Sequence, residues 1–194
     1  MASLQDLFVS KVRVKLIQVF LSQPSEIFYV RQLVRLTDEE INAVRRELSR
    51  METRGLVKKE ARGNRLYYFF NKTYAFYQDL ISLTAKTVGL GAEVIKNKNK
   101  LGNLKFVLLS GRYARRMPRK SEEAIDLLLV GSINLKELNL LIRKAEAEQE
   151  KEINYAPMTI EEFEFRKARR DPFLLSILMA GRIMLLGDEE EMVS

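Results

Sequence analysis

The chain has 194 residues, 46% hydrophobic and 30% charged, which is the balance of a folded protein long enough for one ordinary domain or two small ones. It has neither cysteine nor histidine, so disulfides, thiolate nucleophiles, thiolate metal sites and imidazole bases are excluded, and any metal would have to be held by oxygen. Lysine and arginine number 33 against 26 acidic residues, a net charge of +7 that suits a polyanionic partner.

Where the charge sits is more informative than its total. Residues 1–71 hold 13 basic and 8 acidic side chains, residues 72–104 hold 5 and 2, and residues 105–194 hold 15 and 16. The positive excess belongs to the first half, which points to two modules of which only the first meets a polyanion. No run approaches the roughly 20 apolar residues that cross a bilayer, and the first 15 residues lack the order of a secretory signal. The expectation is a cytoplasmic protein with no membrane partner.

Leu4, Leu7, Phe8, Val12, Leu16, Val19 and Phe20 recur at helical spacing and predict an amphipathic helix from about Leu4 to Leu21, stopped by Ser22-Gln23-Pro24-Ser25. A short second helix follows, with Val30, Leu33, Val34 and Leu36 apolar and Arg31 and Arg35 outward. Thr37 with Glu40 three residues on has the form of a capping box and predicts a third helix starting there. Its buried stripe is Ile41, Val44, Leu48 and Met51, and Gly55 supplies the left-handed residue at its end. The period then becomes extended. Residues 56–61 and 65–70 flank Arg62-Gly63-Asn64, which predicts a hairpin with a basic tip. Residues 72–99 read as a long connecting helix that Gly89 and Gly91 can interrupt, and the apolar set from Tyr74 to Leu90 offers itself as a dimer surface unless it packs on its own domains.

Beyond residue 104 the pattern alternates. Residues 105–109, 125–131, 152–155 and 183–187 are strand candidates, separated by helices from Leu135 to Glu150, from Thr159 and from Asp171-Pro172. Strands alternating with helices predict an α/β layer.

Helix, helix, turn, helix and basic hairpin over residues 4–71 resemble the winged helix-turn-helix family of transcription regulators. The resemblance is most specific in the run from Ile41 to Val57, which is similar to that family's recognition helix and its Gly-Leu-Val entry into the wing. Burial of Ile41, Val44, Leu48 and Met51 turns Asn42, Arg45, Arg46, Ser49 and Arg50 outward, and in a major groove arginine can pair with guanine and asparagine with adenine. Asn42, Arg45 and Arg46 are therefore the expected base readers. Arg31, Arg50, Lys58, Lys59, Arg62 and Arg65 are the expected phosphate contacts. Glu39, Glu40 and Glu47 partly cancel this charge, and Tyr67, Tyr68, Phe69 and Phe70, which suggest stacking, are expected mostly in the core by their alternation.

Leu108-Leu109-Ser110-Gly111-Arg112-Tyr113-Ala114-Arg115-Arg116, followed by Ala124-Ile125-Asp126-Leu127-Leu128-Leu129-Val130-Gly131, resembles the minimal nucleotidyltransferases of the polymerase-beta-like superfamily over residues 105–187. That resemblance implies a Gly-Ser turn for a triphosphate and an Asp-x-Asp pair for two magnesium ions. Here Arg112 stands at the serine position and Ala124 at the first aspartate. Asp126 remains as a residual metal candidate or as an ion-pair partner of Arg112 or Arg115; Glu152 is the only potential ligand on the later strand. Gly111, Arg112, Arg115 and Arg116 form a basic loop that could capture a nucleotide or other phosphate without turnover.

The sequence therefore predicts an α+β, two-domain chain: a winged helix-turn-helix over 1–71, a helical linker over 72–104, and a degenerate nucleotidyltransferase-like mixed sheet with helices over 105–194. Its expected role is a sequence-specific regulator that binds double-stranded DNA as a homodimer, with no cofactor, no resident metal and no catalysis, and with a nucleotide as a possible effector. The alternatives are an active, antitoxin-like nucleotidyltransferase that uses Mg2+ and a nucleoside triphosphate on a protein or RNA partner, and a protein-binding adaptor.

Overall fold

The computed structural model describes residues 9–122 and 124–194, and the chain divides into two compact units, Met1–Thr87 and Val88–Ser194. It is an α+β protein with one sheet in each unit. Among the described residues no helix is long and apolar enough to cross a membrane. The stretch expected as a linker is two helices, one in each unit, because the chain breaks at Val88 and Gly89.

In the first unit, α1 is Lys11–Ser22, with Ser10 as its N-cap accepting from the Arg13 amide. The helix thus begins later than the periodicity predicts; Leu4, Leu7 and Phe8 lie outside the described residues. Helix α2 is Val30–Thr37 and α3 is Ile41–Thr53. A two-residue strand that the sequence pattern does not reveal, β1 (Phe28–Tyr29), precedes α2 and pairs with β3 (Arg65–Phe70), which also pairs with β2 (Val57–Arg62), giving the antiparallel order β1-β3-β2. Arg62 faces Arg65 across the turn, and of the two turn residues only Gly63 has a positive φ, +59°, the pattern of a type II′ connection. Helix α4 (Tyr77–Thr87) packs on α1.

The turn between α2 and α3 is built differently from its expected form. Thr37 is the last residue of α2, is buried, and donates back to the Leu33 carbonyl; it caps nothing. Asp38 takes the left-handed conformation, and Glu40 caps α3 by accepting from the Asn42 and Ala43 amides at 2.8 and 3.0 Å. Helix α1 holds this turn from behind, since Lys15 donates to the Thr37 carbonyl at 2.8 Å and pairs with Glu39 at 2.6 Å. A cation on the last carbonyl of a helix satisfies an orphan acceptor and the helix dipole together.

The core of this unit joins the helices to the inner face of the sheet. Phe20 meets Phe28 edge-on at 5.7 Å and Phe70 at 6.4 Å, and Phe70 lies 5.8 Å from Tyr77. Val44, Leu48 and Met51 of α3 are buried as predicted, while Ile41 is only partly covered. Tyr77, Leu80 and Ile81 of the stripe that offered a dimer surface are buried in this chain, whereas Phe76 and Val88 of the same stripe are exposed.

Glu47, one of the acids counted against the basic charge, does not face solvent. It is 3% exposed on the inner side of α3, where it accepts from Arg13 Nε at 2.5 Å and Ser10 Oγ at 3.3 Å, with Arg50 3.6 Å away. Burial of a carboxylate is tolerated when it is paired and hydrogen-bonded.

In the second unit, α5 (Gly89–Asn97) leads to β4 (Gly102–Ser110), the four-residue helix α6 (Gly111–Ala114), β5 (Leu127–Ile133), α7 (Leu135–Gln149), β6 (Tyr155–Met158), α8 (Ile160–Ala168), α9 (Pro172–Leu178), β7 (Arg182–Leu186) and α10 (Glu189–Val193). The sheet order is β6-β5-β4-β7; β5 and β6 are parallel, and β4 is antiparallel to both of its neighbours. The sheet is thus mixed, and a third strand expected at 152–155 starts at Tyr155 instead. Phe106, Leu108, Leu128 and Val130 form one buried face with Phe163 of α8, Leu174 and Ile177 of α9 and Met192 of α10. Val107, Leu109, Leu127 and Leu129 of the opposite face are equally buried, which is why β4 and β5 read as continuous apolar runs.

Glu47→Ala should lower the stability of the first unit by about 1–3 kcal/mol, because it strands the half-exposed Arg13 guanidinium and the Ser10 hydroxyl. Arg50→Ala, at an exposed position, should change it by less than about 0.5 kcal/mol. Urea unfolding at neutral pH measures both.

Candidate functional site

The exposed side of α3 follows from its buried side. With 100° per residue, Asn42, Arg45, Arg46, Ser49 and Arg50 fall within an arc of about 140°, opposite the arc of Val44, Glu47, Leu48 and Met51. All five are exposed. Among the described residues, Asn42, Arg45 and Arg46 make no side-chain hydrogen bond or ion pair, so the three expected base readers are together on one solvent-facing surface with their donors uncommitted.

Glu40 is the N-cap of the same helix. Its carboxylate accepts two backbone amides of the first turn, and this, with the nearby Arg46 and Arg45 charges, lowers its pKa from the ordinary 4.5. A carboxyl group more acidic in the folded chain stabilises the fold at pH values above its unfolded pKa, and that stabilisation is lost as the pH falls through the folded value.

The expected phosphate contacts are not equivalent. In the hairpin register Lys58 faces Phe69, Glu60 faces Tyr67, and Arg62 faces Arg65, which puts these six on the outer face of the sheet. Lys59 faces Tyr68 on the inner side and is paired with Glu52 of α3 at 2.8 Å, which raises its pKa through that hydrogen bond. Arg62 is held by both oxygens of Glu60, at 3.0 and 3.2 Å. Arg65 lies over the Tyr29 ring at 5.1 Å, and Arg31 on α2 is exposed. Lys58, Arg65 and Arg31 make no ion pair among the described residues. The alternation places Tyr68 and Phe70 in the core as expected, and leaves Tyr67 and Phe69 half-buried outside it.

In the second unit, Gly111, Arg112, Arg115 and Arg116 are brought together on α6 and the turn after it, and the Gly111 amide, Arg112 Nε and Arg116 donate to partners inside the protein. The Gly111 amide donates to the Gly181 carbonyl at 2.7 Å, and a Cβ on Gly111 would stand 2.7 Å from that same oxygen, so the glycine admits the chain before β7. Arg112 Nε donates to the Pro118 carbonyl at 2.9 Å. Arg116 donates to Gln149 Oε1 at 2.5 Å, an oxygen that also accepts from the Tyr113 hydroxyl at 2.8 Å. Arg115 is half-buried.

Asp126 is 2% exposed, just before β5. Its partner is neither Arg112 nor Arg115 but Arg119, which donates to Oδ2 from Nε at 3.0 Å and from the terminal nitrogen at 2.5 Å; that nitrogen also donates to the Glu152 carbonyl at 2.6 Å. The Asn154 amide donates to the same Oδ2 at 3.0 Å. Nothing local in the sequence marks Arg119 among its basic neighbours, because the loop that carries it to Asp126 has no period. Among the described residues no three acidic side chains are grouped so as to hold a metal ion. A single carboxylate already bound to a guanidinium and an amide does not fit the pair of hard divalent cations that the motif implies.

Comparisons with protein-family models, with curated proteins and with solved structures give no match.

Thermal melts of the wild type and Glu40→Gln between neutral and acid pH test the cap. The wild type should melt higher at pH values above the ordinary 4.5, and the gap should close as the pH falls further and its carboxylate takes up a proton.

Proposed function

We propose that the chain is a DNA-binding transcription regulator whose first unit is a winged helix-turn-helix, with α3 laid in the major groove and the β2–β3 hairpin as the wing. The observation that carries this reading is the uncommitted arc of Asn42, Arg45 and Arg46, on a helix whose opposite side is fixed by Val44, Leu48, Met51 and the buried Glu47. An α-helix fits the major groove, and each bidentate pairing with a base edge discriminates by about 1–3 kcal/mol. Arg31, Arg50, Lys58 and Arg65 are then phosphate contacts, whereas Lys59 and Arg62 must first leave Glu52 and Glu60. Regulators of this class bind paired half-sites about one helical turn apart, so a homodimer belongs to the reading; of the apolar set from Tyr74 to Leu90, Phe76 and Val88 are the members left exposed for such a contact.

The second unit, in this reading, is a degenerate nucleotidyltransferase-like domain that serves as an effector or assembly module without turnover. Its mixed sheet, with β5 antiparallel to β4 and parallel to β6, supports the likeness of architecture. The Arg119–Asp126 pair supports the loss of chemistry, since a monovalent guanidinium occupies the oxygen that a magnesium ion would need.

Titration of a duplex selected for affinity, by fluorescence anisotropy at two salt concentrations, tests the first unit. The combined Arg45→Ala and Arg46→Ala variant should lose about tenfold or more in affinity for the selected duplex and little for random duplex. Lys58→Ala should weaken both alike and make the salt dependence shallower by about 0.9 in log–log slope. Equal losses on both duplexes for the arginine variant would remove α3 from the groove.

Incubation with Mg2+ and radiolabelled nucleoside triphosphates, in a cell extract of protein and RNA acceptors, tests the second unit. No transfer above background is expected. Transfer that Asp126→Ala abolishes would establish the enzyme instead.

A further inference from the structure

We infer that the outer face of the β1-β3-β2 sheet is a binding surface for single-stranded DNA, with bases stacked on Tyr67 and Phe69 and the backbone held by Arg65 and Lys58. The register puts these four side chains on one face, where Lys58 is opposite Phe69 and Arg65 lies two residues before Tyr67 along β3. The β1–β3 pairing adds Tyr29 beside Tyr67, their rings edge-to-face at 6.0 Å. Both aromatic side chains of β3 on this face are only half-buried, in contrast to Tyr68 and Phe70 on the inner side. A row of rings on a sheet offers π-faces to any base, and cations alternating with them follow a phosphate chain; this is the chemistry of unpaired strands, whose bases are free to stack.

Two further features favour a strand of nucleic acid over a solvated charged face. The cations are arranged with the rings: Arg65 lies over Tyr29 at 5.1 Å, Arg62 over Tyr67 at 5.8 Å, and Arg35 donates to the Tyr29 hydroxyl at 3.2 Å, so cations and rings are interleaved on this face. At the end of the row, Phe69 and Lys58 help to line a cleft of about 350 Å³, walled by residues 24–27 and 71–73 with Lys72 among them. It has room for one nucleotide beyond the stacked bases. Of the two carboxylates there, Glu60 is already engaged by Arg62 and leaves Glu26 against the lysines, so the charge complements a phosphate chain.

The surface shares Lys58 and Arg65 with the phosphate contacts proposed for duplex DNA but none of the α3 base readers, so the Tyr67 and Phe69 variants on one side and the Arg45 and Arg46 variant on the other tell the two readings apart. The test is fluorescence anisotropy with labelled oligothymidylate on the full chain, with a duplex and an oligouridylate of the same length in parallel. Tyr67→Ala and Phe69→Ala should each weaken oligothymidylate binding by about tenfold and leave duplex affinity unchanged, while Tyr67→Trp keeps both. Arg65→Ala, at an exposed position that leaves the fold intact, should reduce the slope of log affinity against log salt by about 0.7. The Arg45→Ala and Arg46→Ala variant should bind oligothymidylate like the wild type. The inference is overturned by three results: no oligothymidylate binding by the wild type, undiminished binding by both alanine variants of the rings together with an unchanged slope for Arg65→Ala, or tighter binding of oligouridylate than of oligothymidylate.

Discussion

The buried pair between Glu47 and Arg13 fixes which side of α3 faces out. A helix with three apolar residues on one side can roll by tens of degrees against a core without losing much contact area, because hydrophobic burial is not directional. A carboxylate at the edge of that stripe is different. It is 3% exposed and bound to α1 through Arg13 and the cap residue Ser10, and a roll that broke those bonds would leave a charge buried and unpaired, at a cost of about 3 kcal/mol or more. Since Glu47 is one residue from Arg46 and two from Arg45, the same bonds set the direction of both exposed arginines. Lys15 and Glu39 do the equivalent for the turn that feeds α3, so α1 determines how the helix is presented without contributing to its exposed face.

A buried ion pair also organises the second unit, where Arg119 neutralises Asp126. The guanidinium does more than neutralise, for it also reaches the Glu152 carbonyl beside the start of β6. Asp126 in turn accepts from the Asn154 amide and, through its own amide, donates to the Asn154 carbonyl at 2.7 Å. One buried carboxylate thereby ties the loop after α6 to the entrance of β5 and the segment before β6. Fixed hydrogen bonds hold that corner of the sheet together.

The parts of this fold that could be read from the sequence are those set by local chemistry. The stripe Val44, Leu48, Met51 and the apolar runs of β4 and β5 announce themselves because burial imposes a period. Thr159 and Asp171 cap α8 and α9 through contacts three residues away, which makes them legible too. What could not be read depends on partners distant in the chain. Thr37 has the spacing of a cap, but the tertiary clamp from Lys15 lets α2 run through it and hands the cap to Glu40. Glu47 looks like one more surface charge until Arg13, 34 residues away, is placed against it. β1 is two residues long and exists only because β3 offers it an edge. The exposed α3 residues were legible as a set because their positions follow from the buried ones, whereas Lys59 and Lys58, adjacent and alike in sequence, are separated by the pleat onto opposite faces.

That separation changes what the net charge of the first unit means for an anionic partner. The ion pairs Arg13–Glu47, Lys15–Glu39, Lys59–Glu52 and Arg62–Glu60 are each neutral as a whole, so the positive excess is carried by cations outside them. Those include Arg45 and Arg46 on α3, and Lys58 and Arg65 on the outer face of the sheet. Internal pairing therefore concentrates a modest excess onto two surfaces that the fold turns in different directions, one formed by a helix and the other by a row of rings. In the two proposals the helix meets the edges of paired bases and the rings meet the faces of unpaired ones. A polyanion that engaged the paired cations instead would have to break an existing contact for every new one, and its binding would gain little from them.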